Sequence, residues 1–317
     1  MQVIITDCDH TDIKAEEKVL QDAGISYKLL QCRTEDELIE QCGEAAVLIN
    51  QYAPITERVL RNLTNVRLII RYGVGVDNID TGAATRLGVQ VCNVPDYGMN
   101  EVADHAVALM LALLRKIPYM NAHTKNGSWN FAASVPLSRI CDLTVGIVGL
   151  GRIGRAFAQR VFGFGCRIIG VDPYYEPNEQ DGTSYIKAVS FEELIRCADV
   201  ISLHIPADNA IDLIDERVLK TMKSSAYVIN VARGGIINEA ALDAALEAGE
   251  IAGAALDCMT KEPAPAGSSI FRHENLICTP HMAWYSQQAA EELKRKVAEQ
   301  AVQYLCGETV SYPVNHI

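Results

Sequence analysis

Short apolar runs alternate with amphipathic stretches along almost the whole chain. In the N-terminal part, Val3–Thr6, Tyr27–Leu30, Ala46–Asn50, Val66–Ile70 and Val89–Val91 read as strands. Between them, Ile13–Ala23 has helical spacing and stops at Gly24, Glu35–Cys42 is capped by Thr34 and ended at Gly43, and another helix is capped by Thr56. Runs that are apolar throughout predict strands of a parallel sheet covered on both faces. A longer helix opens at Asn100, with Glu101 and Asp104 at its start, Arg115 and Lys116 at its end and Pro118 to stop it. Its middle, Val107–Leu114, is apolar on all sides, which predicts a helix buried on every face between two domains.

The alternation restarts at Thr144. Strands are predicted at Val145–Val148, Arg167–Val171, Val200–Ile205, Ala226–Val231, Ile251–Leu256 and Leu276–Cys278, with helices at Phe191–Cys197, Glu216–Met222 and Glu239–Ala248. The last helix, Gln287–Cys306, carries Ala290, Leu293, Val297, Ala301 and Leu305 on one stripe, with Glu291/Arg295 and Glu292/Lys296 as i,i+4 pairs. A second α/β unit that starts near residue 100, after a complete first one, implies an insertion. Residues 99–283 form the inserted domain, and residues 1–98 and 284–317 form the domain that receives it. A cleft between two doubly wound sheets is a natural ligand site.

The first strand of the inserted unit runs into Gly149-Leu150-Gly151-Arg152-Ile153-Gly154. A helix and a second strand follow, and Asp172 stands 18 residues after the last glycine. Gly149 permits a tight turn, Gly151 lets a pyrophosphate approach the backbone, and Gly154 lets helix and strand pack closely. The helix N-terminus offers free N–H groups and a positive dipole end to phosphates. Asp172 would accept hydrogen bonds from both hydroxyls of an adenosine ribose. Pro173, Tyr174 and Tyr175 follow it, so no arginine neutralises a 2′-phosphate, and the cofactor expected is NAD.

Composition narrows the partners. A net charge of −12 without any basic run argues against nucleic acid and against anionic membrane surfaces. The longest apolar stretch, Ala106–Leu114, is far shorter than the ~20 residues of a membrane span. No basic, apolar leader precedes Val3, so a cytoplasmic protein is expected. The ten cysteines include no CxxC pair, and several (Cys166, Cys197, Cys278) lie in apolar runs, as small buried hydrophobes rather than disulfides. Asp7-Cys8-Asp9-His10 has no companion ligands and reads as a solvated loop; no metal is expected.

Polar residues at strand ends supply the candidate chemistry. Arg233, after an apolar strand and before Gly234-Gly235, could grip a carboxylate with two parallel hydrogen bonds. Asp257 ends another strand and either orients a nicotinamide amide or caps a loop. His281 follows Thr279-Pro280. If a carboxylate such as Glu262 reaches one ring nitrogen, it stabilises imidazolium and directs the other nitrogen to substrate, as carbonyl reduction requires.

These residues carry a resemblance to the NAD-dependent D-2-hydroxyacid dehydrogenases over the whole length. The matching segments are Arg71-Tyr-Gly-Val-Gly-Val-Asp77-Asn-Ile-Asp80, GLGRIG at 149–154, NVARGGIINEAAL at 230–242, Leu256-Asp257, Glu262-Pro263 and His281. Within the family the chain most resembles the C-terminal binding protein branch, through CNVP at 92–95, DPY at 172–174 and LICTPHMAWYS at 276–286. The resemblance implies an α/β protein of two doubly wound parallel-sheet domains, a Rossmann cofactor domain inserted into a flavodoxin-like substrate domain. It implies His281 as acid/base, Glu262 as its partner, Arg233 as anchor for the substrate's carboxylate and carbonyl, and Asp257 as a nicotinamide contact. Arg71, Val74 and Gly75 fall on the substrate side, Trp284 walls the pocket, and His204, Ile205, Pro206, Val231 and Ala232 line the cofactor. D stereochemistry, a small 2-oxo or 2-hydroxy acid substrate and a homodimer are implied in the same way.

Trp284 suggests a short apolar 2-oxo acid. A phosphoglycerate- or hydroxypyruvate-type dehydrogenase is one alternative, and an NAD-responsive corepressor with little turnover is another. Retention of Arg233, Glu262 and His281, with no long N-terminal extension or Ser/Pro-rich tail, favours the enzyme. The departures from the branch are Gly98, where it has a serine, Cys258 after Asp257, and Ala207-Asp208.

Overall fold

The computed structural model describes residues 2–207 and 210–317; Asp208, one of the departures, lies outside them. The chain divides into two compact units, Met1–Gly98 with Ser286–Ile317, and Met99–Tyr285. The first unit alternates β1 (Gln2–Ile5), α1 (Lys14–Asp22), β2 (Tyr27–Leu29), α2 (Glu35–Gln41), β3 (Ala45–Asn50), α3 (Glu57–Asn62), β4 (Leu68–Arg71), α4 (Thr81–Arg86) and β5 (Gln90–Cys92). Its strands form a parallel sheet ordered β2-β1-β3-β4-β5, the flavodoxin-like order. Every residue of β3 is buried, as a central parallel strand demands. Thr34 and Glu37 form a capping box on α2, and Thr56 caps α3 through the Val59 amide. Helix α4, capped by Asp80, has no apolar stripe to announce it and is missed by the periodicity.

Asp7 is a correction. It is fully buried, and its carboxylate accepts hydrogen bonds from the Gln51, Tyr52 and Ala53 amides, from Asn50 Nδ2 and from Thr6 Oγ1. The loop after β3 turns its amides inward, and a carboxylate satisfies several at once. The C-terminal helix, Gln287–Leu305, begins at a Ser286 cap and buries Leu293, Val297 and Ala301 as expected, but also Lys294 and Gln300. Lys294 Nζ lies 3.3 Å from Asp12 Oδ1, and Gln300 Nε2 donates to the Asn93 carbonyl, while Gln300 Oε1 is buried without a hydrogen-bond partner among the described residues. Lys296 pairs with Glu292 at 2.7 Å, whereas Arg295 pairs forward with Glu299 rather than back with Glu291.

The second unit contains α5 (Met99–Leu114), α6 (Ile117–Lys125), β6 (Thr144–Val148), α7 (Arg152–Phe162), β7 (Arg167–Val171), β8 (Ile186–Ala188), α8 (Phe191–Cys197), β9 (Val200–Leu203), α9 (Glu216–Thr221), β10 (Tyr227–Asn230), α10 (Glu239–Ala248), β11 (Gly253–Leu256) and β12 (Leu276–Cys278). All seven strands are parallel in the order β12-β11-β10-β9-β6-β7-β8, a Rossmann arrangement that reverses direction between β6 and β9.

Three readings need correction here. Pro118 does not end the helical run; it sits in the first turn of α6, where its missing N–H costs nothing, after Lys116 turns the chain at φ 51°. Helix α5 is not buried all round, since Ala108 is exposed and Val107, Leu111 and Ala112 are half-buried. Of the cysteines in apolar runs, Cys166 is buried, but Cys197 and Cys278 are exposed at a helix end and on the edge strand; all ten are free thiols. Among the described residues, no helix is long and apolar enough to cross a membrane, and no cluster of three or more His, Cys, Asp or Glu is suited to a metal.

Candidate active site

The glycine turn between β6 and α7 meets the steric demands of a dinucleotide site. Gly149 has φ +93°, and a Cβ there would lie 2.5 Å from the His204 carbonyl oxygen. A Cβ on Gly154 would lie 1.9 Å from the Gly149 carbonyl oxygen, so the helix can approach the turn only as glycine. At Gly151 the space is open, with nothing within 4 Å of an added Cβ. Gly151 is also the N-cap of α7 and offers no side chain to the first amides, which leaves them to an anion; Arg152 beside it is exposed and Ile153 half-buried. At the end of β7, Asp172 accepts from the Leu150 amide at 2.7 Å and from the Tyr174 amide at 2.8 Å. The carboxylate is thereby fixed beside the turn, with lone pairs to spare for hydroxyls.

His204 packs behind the turn, its ring centroid 5.1 Å from that of Phe157 and its Nε2 2.9 Å from Ser202 Oγ. Burial pushes it down to about 3, so it stays neutral near neutral pH. Ile205 and Pro206 continue from it, half-buried and exposed, and Val231 is buried at the end of β10. Ala232 is held by its amide on Asn230 Oδ1. These residues fit a dinucleotide.

A second group of residues gathers after β10, β11 and β12. His281 Nδ1 and Glu262 Oε2 lie 2.7 Å apart, and Glu262 Oε1 accepts from the Met259 amide at 2.9 Å. Burial alone would raise the Glu262 carboxyl; the hydrogen bonds from His281 and Met259 outweigh it and hold the group below its usual range. Arg233 is half-buried, and its Nη1 donates to the Ala232 carbonyl at 2.8 Å. Gly234 brings this loop against the Met259 segment, since a Cβ there would lie 2.0 Å from the Met259 carbonyl oxygen. Arg233 and Glu262 thus flank the same Met259 segment.

His281 itself has φ 52°, a left-handed conformation that costs a non-glycine residue about 1–3 kcal/mol and must be held by its surroundings. Asp257 does the holding. It is 1% exposed, and its carboxylate accepts from the Met282 amide at 3.0 Å, the Ala283 amide at 2.9 Å and Thr279 Oγ1 at 2.6 Å. Its carbonyl accepts the His281 amide at 2.7 Å. Of the two alternatives for Asp257, the loop cap is thus realised in the structure. Cys258 beside it is a buried thiol pushed upward by burial, an inert replacement.

His105, to which no role is assigned from the sequence, stands beside this group, and Trp284 follows His281 by three residues. On α5, His105 places Nε2 3.0 Å from Thr279 Oγ1 and 3.6 Å from Asp257 Oδ1. The only sequence signal is a histidine near the start of an otherwise apolar helix face. Trp284 is half-buried, its ring set edge-on to Tyr285 at 5.6 Å.

In the first unit, Arg71 ends β4 and leads into a turn where Gly73 has φ +131°. Val74 is exposed and its carbonyl accepts from Asn93 Nδ2 at 2.6 Å, while Gly75 is half-buried. Tyr72, between Arg71 and that turn, is anchored by its hydroxyl on buried Glu16 at 2.8 Å.

A family model described as D-isomer specific 2-hydroxyacid dehydrogenase, NAD binding domain, matches residues 107–283, within the second unit. The chain is 35% identical over 296 residues to the D-3-phosphoglycerate dehydrogenase of Archaeoglobus fulgidus, covering 92% of this chain and 55% of that protein. It spans about half the length of the curated relatives it matches. Among solved structures it is similar to a Thermus thermophilus protein (TM-score 0.89, 30% identity, 99% and 100% of the two chains). It is also similar to the D-lactate dehydrogenase of Aquifex aeolicus complexed with NAD and lactic acid (TM-score 0.88, 25% identity, 96% of each chain). With the glycine turn, the Rossmann sheet and a match over more than half of its length, the chain belongs to the D-isomer specific 2-hydroxyacid dehydrogenase family.

Proposed function

We propose that this protein interconverts a small 2-oxo acid and the D-2-hydroxy acid with NAD. The observation that carries the reading is the 2.7 Å contact between His281 Nδ1 and Glu262 Oε2, a histidine with one ring nitrogen engaged by a carboxylate and the other left for substrate. The second unit takes the cofactor domain's part. Gly149, Gly151, Gly154, the N-terminus of α7 and Asp172 hold the dinucleotide, with His204–Pro206, Val231 and Ala232 along it. NADH, when bound, supplies the hydride that reaches the carbonyl carbon. Arg233 pairs with the substrate carboxylate, and His281 donates a proton from Nε2 to the carbonyl oxygen while Glu262 steadies the ring. The positive charge of both groups stabilises the developing alkoxide. Asp257 keeps the histidine in place.

The same reading gives Arg71, Val74, Gly75 and Trp284 to substrate. An indole offers apolar area and few hydrogen bonds, which favours a 2-oxo acid of about four to six carbons such as 4-methylthio-2-oxobutyrate. A second reading, a phosphoglycerate or hydroxypyruvate type of dehydrogenase, is favoured by the names of the curated relatives. Exposed Trp129, Phe131 and Val135 on the segment after α6 support a homodimer, which light scattering of the purified protein checks.

Turnover of a panel of 2-oxo acids with NADH tests the whole reading. We expect 4-methylthio-2-oxobutyrate to exceed glyoxylate and phosphohydroxypyruvate, and His281→Ala to cut kcat by about 10²–10⁴-fold while NADH still binds. Fastest turnover of phosphohydroxypyruvate establishes the second reading; negligible rates throughout leave an NAD-responsive binding protein.

A further inference from the structure

We propose that His105 is a positioning residue of this site, fixing the Thr279 hydroxyl on Asp257 and through it the turn that presents His281. The proposal rests on the acid–base reading above. Thr279 has one hydroxyl proton, and it goes to Asp257 Oδ1 at 2.6 Å. His105 Nε2, 3.0 Å from Thr279 Oγ1, must therefore carry a proton and donate it to that hydroxyl oxygen. The result is a directed chain, His105 to Thr279 to Asp257, running from α5 to the end of β11.

The chain matters because of what Asp257 does. Its Oδ1 shares the Thr279 hydroxyl and the Met282 amide, and its Oδ2 takes the Ala283 amide. Those contacts hold the residues directly after His281, whose own φ of 52° is unfavourable without them. Were the Thr279 hydroxyl free to rotate, Asp257 would lose a directed donor, and the turn would lose part of its hold. An imidazole is well matched to this position. It is a stiff ring, 19% exposed at its side chain, and reaches Thr279 without the long flexible stem of lysine or arginine. The effect on chemistry is indirect. His105 touches neither Glu262 nor His281 in the contacts described, so its loss should disturb placement of the proton donor and leave the cofactor turn alone.

The test is a double-mutant cycle on the full chain with the best 2-oxo acid of the panel. We expect His105→Leu to lower kcat about tenfold with the Kd for NADH unchanged, since small displacements of a reacting group are costly. His105→Gln, whose Nε2 also carries protons, should recover most of the loss. His105→Leu with Thr279→Val should be no worse than Thr279→Val alone, because the two act through one contact. Independently of turnover, nitrogen NMR of labelled histidine should find a proton on Nε2 of His105. Native kcat in His105→Leu, equal loss in the Gln and Leu variants, multiplying losses in the double variant, or an Nε2 without a proton each overturn the proposal. His281→Ala at native rate overturns instead the acid–base reading, so the two failures are told apart.

Discussion

The protein buries two carboxylates at the ends of parallel strands, Asp7 after β1 and Asp257 after β11, and uses them alike up to a point. Each is nearly inaccessible, and each gathers backbone amides from a loop outside another strand end, residues 51–53 for Asp7 and 282–283 for Asp257. The difference is in the cargo. The loop held by Asp7 carries exposed Tyr52, whose hydroxyl donates to Asp9 Oδ2 at 3.2 Å, whereas the turn held by Asp257 carries His281, bent into a left-handed conformation and bonded to Glu262. A buried carboxylate with several amide donors is therefore a general way to fix a loop. It becomes part of a functional site only when the fixed loop holds a reactive side chain that the backbone alone would not present.

Breaking both carboxylates separates the two uses. Asp257→Ala should lower kcat by about 10²-fold, the scale expected when a reacting group shifts by about 1 Å. Asp7→Ala should instead lower unfolding stability by about 2–3 kcal/mol, through lost hydrogen bonds to a charged group, with kcat retained. Paired urea denaturation and steady-state kinetics decide it. Comparable kcat losses in both variants would erase the contrast.

A pair of glycines sharpens the same distinction between holding the chain and holding a ligand. Gly154→Ala pushes a methyl group onto the Gly149 carbonyl oxygen at 1.9 Å and should cost about 1–3 kcal/mol of stability. Gly151→Ala has open space within 4 Å and should fold as the native protein does, yet bind NADH more weakly. Thermal unfolding with and without NADH separates the two variants; full native stabilisation of Gly151→Ala by NADH would remove Gly151 from the cofactor.

Much of the fold and the cofactor turn is legible in local sequence. The Thr34 capping box and the spacing of Gly149, Gly151, Gly154 and Asp172 are short-range patterns whose physics acts within a few residues or one βαβ unit. What cannot be read depends on where distant segments meet. Asp7 looks like part of a polar loop until the amides after β3, more than forty residues on, turn toward it. The Glu262–His281 contact closes a 19-residue separation, and His105–Thr279 closes 174 residues, so neither leaves a spacing signal. Pro118 misleads because proline ends one helix and begins another with equal ease, and only the Lys116 backbone decides which.

The central claim is that Glu262 and His281 act as one proton-donating pair, and the pH dependence of Glu262→Gln tests it most directly. Because the Glu262 carboxyl is held below its usual range, it stays ionised as pH falls to that range and loses its charge only below it. The alkaline limb of kcat/KM for reduction then reports the proton on the pair. Replacing the carboxylate by an amide removes the charge that favours a protonated ring, so that limb should move to lower pH. A shift to higher pH, or no shift, would contradict the pairing.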